Sequence, residues 1–589
     1  MRELRRWLYF VRPHAGKALW SLVLLCSLVV LDLAIPRLIQ RLIDQGIAQH
    51  DAPLMLRTSL AMLGISLLST LIAIGNNVYS VRVGEGVARD LREALFLKIQ
   101  GYTFGNLDRQ RTGRLLVRLT SDVNAIKGLT QVSLRIGTRA PLLMLGSLCL
   151  MFATSSSLAL RILPLLLLAC GVGGWFMARM EPLFRRVQER SDDLNNVLQE
   201  NIAGVRLVKA FVRGDYEAER FEARNQALTA ESLRVLTLMS TMSPALALCV
   251  NLGVTAVIWS GGLASIRGEL SLGQLVAFTN YLLTTMGPLL LLSMLINMWA
   301  AGFASLKRLH EVLDSVPDLQ DAPSARSLSA EAPAEVEFRA VTFRYPGERC
   351  EPVLCDVSFR AGQGETVAIL GATGAGKTSL VNLIARFYDA DSGSVRVCGH
   401  DVREVTQDSL LTHIGFVPQE SVLFSGTVRD NIRYGRRDAS EDEVVRAART
   451  AQAHTFIAQL SKGYDTPIEQ RGVNLSGGQR QRIAIARALL LDPKILVLDD
   501  ATSAVDVETE TQLQAALFAD APRRVTFLVA QRISSVLHAS TILLLERGRV
   551  VAQGRHRELL ERSALYREIY ESQLGAAHEL GVSLPEISP

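Results

Sequence analysis

At 589 residues the chain is too long for a single hydrophobic core, so at least two domains are expected. Apolar residues make up 49% beside 21% charged ones, with most long uncharged runs before Lys307, which argues against a uniformly soluble protein. The net charge of +5 is too modest to argue for a nucleic-acid partner, and seven cysteines without a CxxC pair read as packing residues, not a disulfide frame or zinc site.

Arg2, Arg5 and Arg6 precede the first apolar run. No small-residue cleavage site follows that run, so it reads as a retained span, with residues 2–12 a short amphipathic helix on the membrane surface. Span-length apolar stretches cover 18–35, 59–75, 140–160, 162–178, 235–266 and 271–306. They predict six helices over about 18–38, 57–78, 136–158, 160–180, 238–262 and 272–302, within a transmembrane domain of residues 1–313. Pro36, Pro164, Pro244 and Pro288 lie in or beside these spans, where kinks are tolerated.

Lysine and arginine set the orientation. Residues 76–139 hold eleven and 179–234 hold ten, against three in 36–58 and single residues, Arg161 and Arg267, in the other two connections. The two rich connections and both termini are therefore expected on the cytoplasmic side of a cell membrane. Apolar residues at three- and four-residue spacing over 83–100 and 183–211 predict that the membrane helices continue into the cytoplasm, with tips near 106–114 and 214–219. Candidate cargo-facing residues are Asp32, Asn251, Asn280 and Asn297, with Trp259 and Trp299. Asp32 reads equally as a helix-packing or interfacial carboxylate, and the asparagines as contacts between helices. A proline- and serine-containing stretch, 314–335, reads as a linker before a soluble domain of residues 336–574, and 575–589 as a loose tail.

The soluble domain carries the chemistry. Gly371, Ala372, Thr373, Gly374, Ala375, Gly376, Lys377 and Thr378 complete a phosphate-loop pattern between a strand-like run and a helix-like run opening at Ser379. Its backbone N–H groups and helix N-terminus suit phosphate oxygens, Lys377 the β- and γ-phosphates, and Thr378 a Mg²⁺ ion. Residues 495–499 form a short apolar strand ending in Asp499, a second metal-binding candidate. Ser476, Gly477, Gly478 and Gln479 open a helical run as an anion-binding turn.

With these motifs in this order, the whole chain resembles the exporter branch of the ATP-binding cassette family. The resemblance implies an all-α six-helix transmembrane domain followed by an α/β P-loop NTPase cassette with antiparallel β and α-helical subdomains. It implies ATP and Mg²⁺ as cofactors, with two cassettes sandwiching two ATP molecules, each between one chain's phosphate loop and the other's signature. It casts Tyr345 as the adenine-stacking aromatic, Gln419 as the Q-loop residue with a catalytic and metal-binding role, and Asp506 as part of the catalytic loop following the strand carboxylate. Residues 111–122 and 209–217 resemble its coupling regions.

Three departures stand out. Asp500 occupies the position of the catalytic glutamate, Gln531 that of the switch histidine, and Glu469-Gln470-Arg471-Gly472 replaces a usual Gly-Glu pair. Two changes in one catalytic site suggest a chain that binds ATP and cuts it slowly while its intact signature serves a partner. The expectation is a heterodimer with a second half-transporter supplying glutamate and histidine, surrounded by membrane lipid and exporting a small amphipathic or apolar cargo. The alternative is a homodimeric lipid exporter with slow hydrolysis.

Overall fold

The computed structural model describes residues 2–110, 112–329, 331–346, 351–519 and 523–575; the side chains of residues 2, 289–294, 296, 297, 574 and 575 are not among them. The chain divides into two compact units. The first comprises Met1–Gln100 and Thr112–Ser315, the second Gly101–Arg111 and Val316–Pro589.

The first unit is built of long helices. Among the described residues, five stretches are long and apolar enough to cross a membrane: Glu3–Ile47, Ala52–Gln100, Thr112–Thr154, Ser156–Ala210 and Gly214–Ile266. Leu272–Leu313 is a sixth continuous helix, of 42 residues. Polar pairs fasten the helices to one another. Buried Asn76 donates to the Ser21 carbonyl at 2.7 Å and to its hydroxyl at 2.9 Å. Ser147 and Thr285 share a hydrogen bond of 2.7 Å, and Asp44 caps the start of Leu272–Leu313 by accepting from the Ser271 hydroxyl and the Gly273 N–H. Such bonds hold where lipid offers no competing partner. Leu60, Leu63, Leu67 and Leu71 stay exposed along Ala52–Gln100, as a lipid-facing stripe requires.

Several expectations are corrected. The break between the third and fourth spans lies at Ser155, not near Arg161. Ser155 is extended, and its hydroxyl accepts from the Leu158 N–H, a helix N-cap within the hydroxyl run Thr154 to Ser157 between two apolar stretches. The second tip is the turn at 211–213, where Val212 has φ +53°, and residues 214–219 already belong to the next helix. The opening helix Arg2–Val11 is also fastened to the rest of its unit: Trp7 donates to the Thr130 hydroxyl at 3.0 Å and Arg6 pairs with Asp314 at 2.6 Å. Residues 101–111 interrupt the expected transmembrane domain, because they group with the second unit.

The second unit is organised by a six-stranded sheet. Its order is Arg549–Gly554, Thr541–Glu546, Thr366–Gly371, Val525–Val529, Ile495–Asp499, Ile414–Val417, parallel except for the hairpin at the first edge. Val525–Val529 and Ile495–Asp499 are buried at every position, which explains their unbroken apolar sequences. A four-stranded antiparallel sheet formed by Glu335–Phe343, Leu354–Gly362, Ser392–Val397 and His400–Asp401 packs through Phe338, Phe359 and Val395 into one core. Helices Glu441–Thr450, His454–Gln459 and Gly477–Leu489 contribute to a second core.

Candidate functional site

Adjacent parallel strands place the chemistry at one edge. Ile369 is in register with Val529, and Val529 with Asp499. The phosphate loop after Gly371, the turn bearing Gln531 and the turn bearing Asp500 therefore leave the sheet side by side, as carboxyl ends of parallel strands do at ligand sites.

The loop is shaped by glycines with left-handed backbone. Gly374 has φ +84° and Gly376 φ +101°; a Cβ on Gly376 would lie 2.8 Å from the Leu354 side chain. Gly376 caps helix Lys377–Ile384, which directs its first N–H groups at the loop's concave face. Lys377 is 8% exposed and donates to the Gly371 and Ala372 carbonyls at 2.8 and 3.0 Å. Burial lowers its pKa, and the charges of Asp500 and Asp499 oppose that shift.

A cavity of about 320 Å³ collects Tyr345, Thr373, Gly374, Gly376, Lys377, Thr378, Ser379, Gln419, Asp499, Asp500 and Gln531. Gly371, Ala372 and Ala375 set the loop's backbone without lining it. The Tyr345 hydroxyl bonds the Ser379 hydroxyl at 2.9 Å. Thr378 donates to Asp499 at 3.0 Å. This all-oxygen donor pair, with Gln419 on the same cavity wall, fits Mg²⁺, which when bound offsets phosphate charge.

Burial raises the pKa of Asp499, with the Thr378 hydrogen bond opposing it and the neighbouring Asp500 charge adding to it. Burial likewise raises that of Asp500, while Lys377 and then the Gln531 hydrogen bond lower it. Because the folded-state values lie above the unfolded ones, the ionised carboxylates cost stability; that cost is absent below the unfolded pKa and grows as pH rises through the folded pKa. Two results follow. Mg²⁺-dependent nucleotide binding weakens on acidification at pH values above the ordinary carboxylate range. Asp499→Asn raises the melting temperature of the nucleotide-free chain while abolishing the Mg²⁺ dependence; thermal scans and nucleotide titrations check both.

The signature residues stand outside this cavity. Ser476 and Gln479 form a reciprocal cap at the start of Gly477–Leu489, with bonds of 3.0 and 3.3 Å. Gly477 and Gly478 pass against the loop after Asp500: a Cβ on Gly478 would meet the Ala504 carbonyl at 2.8 Å. Asp506 caps helix Val507–Ala519 by accepting from the Thr509 N–H at 2.9 Å, also away from the cavity. In the turn Gln470–Gly472, Arg471 adopts φ +59°. Of the cargo-facing candidates, Asp32 pairs with Arg139 at 2.7 Å, Asn280 donates to the Val276 carbonyl and Trp299 to the Ser133 hydroxyl. Asn251 lines a cavity of about 270 Å³ with Ser243, Leu246 and Met286, Trp259 is exposed, and the Asn297 side chain lies outside the described residues.

Sequence reading missed two buried polar residues that hold these loops. Gln481 donates to the Ser503 hydroxyl and accepts from the Ala504 N–H, fixing the signature helix to the loop after Asp500. Glu510 accepts from the Thr502 and Ser535 hydroxyls at 2.8 and 2.6 Å, joining that loop to the one after Gln531. Their signal was a polar residue on the inward face of an otherwise apolar helical pattern.

Helices of membrane-spanning length and a phosphate-loop cassette in one chain define an ATP-driven membrane exporter with fused domains. The comparisons agree: residues 19–289 match the model of the ABC transporter transmembrane region and residues 354–503 that of the ABC transporter. The chain belongs to the ABC transporter family. It is 38% identical over 97% of its length to the uncharacterized ABC transporter ATP-binding protein YfiB of Bacillus subtilis (strain 168), covering 99% of that protein. It is 33% identical to an ATP-dependent lipid A-core flippase of Syntrophus aciditrophicus (strain SB), covering 97% of this chain and 95% of that one. A solved bacterial Atm1-family ABC exporter with ATP bound superimposes with a TM-score of 0.80 at 28% identity, covering 97% of this chain and 99% of that one.

Proposed function

We propose that this chain is the ATP-holding, weakly hydrolysing half of a heterodimeric exporter of amphipathic or apolar cargo. One observation carries the reading: Gln531 Nε2 donates to Asp500 Oδ2 at 3.0 Å, so the two substituted groups are spent on each other. The Asp500 carboxylate is one methylene shorter than glutamate, and one of its oxygens is occupied by the amide. Gln531 can hydrogen-bond a γ-phosphate but brings no positive charge to the transition state. Ser476, Gly477 and Gly478 keep the geometry needed to complete a second chain's site, and that chain supplies the glutamate and histidine. One ATP then holds the cassettes closed while the other turns over, and the closure reverses the accessibility of the membrane cavity. Similarity to lipid A-core flippases supports a lipid-like cargo. The lysine and arginine distribution supports a cell-membrane protein with its cassette and termini in the cytoplasm.

The purified chain alone is expected to bind ATP but to hydrolyse it roughly 10²-fold or more slowly than the co-expressed pair. Brisk turnover by a self-paired chain sinks the proposal and leaves the homodimeric exporter.

A further inference from the structure

The segment Gly101–Arg111 joins two long membrane helices in the chain, yet it packs as part of the cassette unit. Its short helix Phe104–Arg109 is anchored there by several contacts. Asn106 donates to the Val316 carbonyl and Arg109 pairs with Asp318. Phe104 stacks on Phe387 with centroids 4.1 Å apart, and a Cβ on Gly105 would come within 3.7 Å of Pro346, the residue after Tyr345.

One contact differs from these anchors because its other face reaches the nucleotide cavity. The Tyr388 hydroxyl donates to Asp108 Oδ2 at 2.5 Å. The ring of Tyr388 meets Tyr345 edge-on, with centroids 5.1 Å apart and an interplanar angle of 87°. Tyr345 lines the cavity, and its hydroxyl is tied to Ser379 just after the phosphate loop. Tyr388 is buried, so its ring has no space to yield if Tyr345 turns.

The geometry points to Tyr388 as a positioning residue that passes base occupancy at Tyr345 to Asp108, and so to the segment joining the two membrane helices. The phosphates act elsewhere, on Lys377 and Thr378. Purine-base stacking thereby has its own route to the transmembrane domain, and a nucleotide must present a base as well as a triphosphate to order residues 101–111. This inference rests on Tyr345 stacking the base.

Hydrogen–deuterium exchange of residues 101–111 in the full-length chain tests it, with MgATP, with magnesium tripolyphosphate, or with neither. MgATP is expected to slow exchange about tenfold, the scale of one hydrogen bond, while tripolyphosphate leaves it near the nucleotide-free rate. Tyr388→Phe keeps the ring and removes the hydroxyl, so it abolishes the ATP effect with ATP affinity and melting temperature little changed. Asp108→Ala repeats the experiment from the other side if Tyr388→Phe folds poorly. Protection by tripolyphosphate equal to that by ATP, or full ATP protection in both variants, overturns the relay. Tyr345→Leu separates the premise: wild-type ATP affinity there overturns base stacking and the relay together, whereas lost affinity beside a silent Tyr388→Phe overturns the relay alone.

Discussion

Asp500→Glu combined with Gln531→His raises ATP hydrolysis by the isolated chain by roughly 10²- to 10⁴-fold, the range for a correctly placed general base. Asp500 leaves the strand Ile495–Asp499 in a left-handed conformation, φ +50°, which aims its side chain into the cavity beside Lys377. Burial makes this carboxylate more basic than usual, but basicity does not extend its reach. Glutamate adds the missing methylene. Histidine supplies a group that can carry positive charge as the γ-phosphate leaves. The single changes fall short of half the combined effect on a logarithmic scale, because Asp500 and Gln531 are bonded to each other and their contributions are coupled. Steady-state phosphate release by the four chains checks this. An inactive double variant that still binds ATP with unchanged affinity rejects the assignment of these two positions.

Lys377→Ala lowers ATP affinity at this chain's own site by about 10- to 100-fold, the usual worth of hydrogen bonds to a charged group. The ammonium is held in place by the Gly371 and Ala372 carbonyls, and the charges of Asp500 and Asp499 oppose the lowering of its pKa by burial, so it is preorganised for phosphate. Lys377→Arg does not rescue binding: a planar guanidinium cannot occupy a pocket shaped for a compact ammonium bonded to two successive carbonyls. Fluorescent-nucleotide titration measures both. Affinity within about threefold of wild type for Lys377→Ala, well under 1 kcal/mol, removes the lysine from the phosphate contacts.

Contiguous motifs were legible from sequence because their chemistry is local. The phosphate loop, Asp499 and the signature each need only a few successive residues, and the structure sets the first two in one cavity with Asp500 and Gln531. The apolar spans were legible for the same reason, since the membrane imposes length and composition on each helix separately. Pairings between distant residues were not. Asp32 and Arg139 lie 107 positions apart, and nothing in either neighbourhood announces the other. Ser155 escaped notice as a helix cap because it lies in an uncharged run, Thr154 to Ser157, with apolar residues on both sides, whereas Arg161 offers the more visible break. Residues 101–111 look like a loop tip in a membrane domain. Its partners, Val316 and Asp318 and the aromatic pair Phe387 and Tyr388, lie far along the chain and show where that tip belongs.

Asp108 and Tyr388 are separated by 280 positions. During synthesis Phe104 leaves the ribosome long before Phe387 exists, so the nascent protein carries an uncovered aromatic for nearly half of its elongation. A product terminated anywhere between them retains that sticky surface as a mark for proteolysis. Recombinant shuffling faces the same seam: exchanging only residues 316–589 between two exporters strands one aromatic stack on each side, whereas carrying residues 101–111 along preserves it.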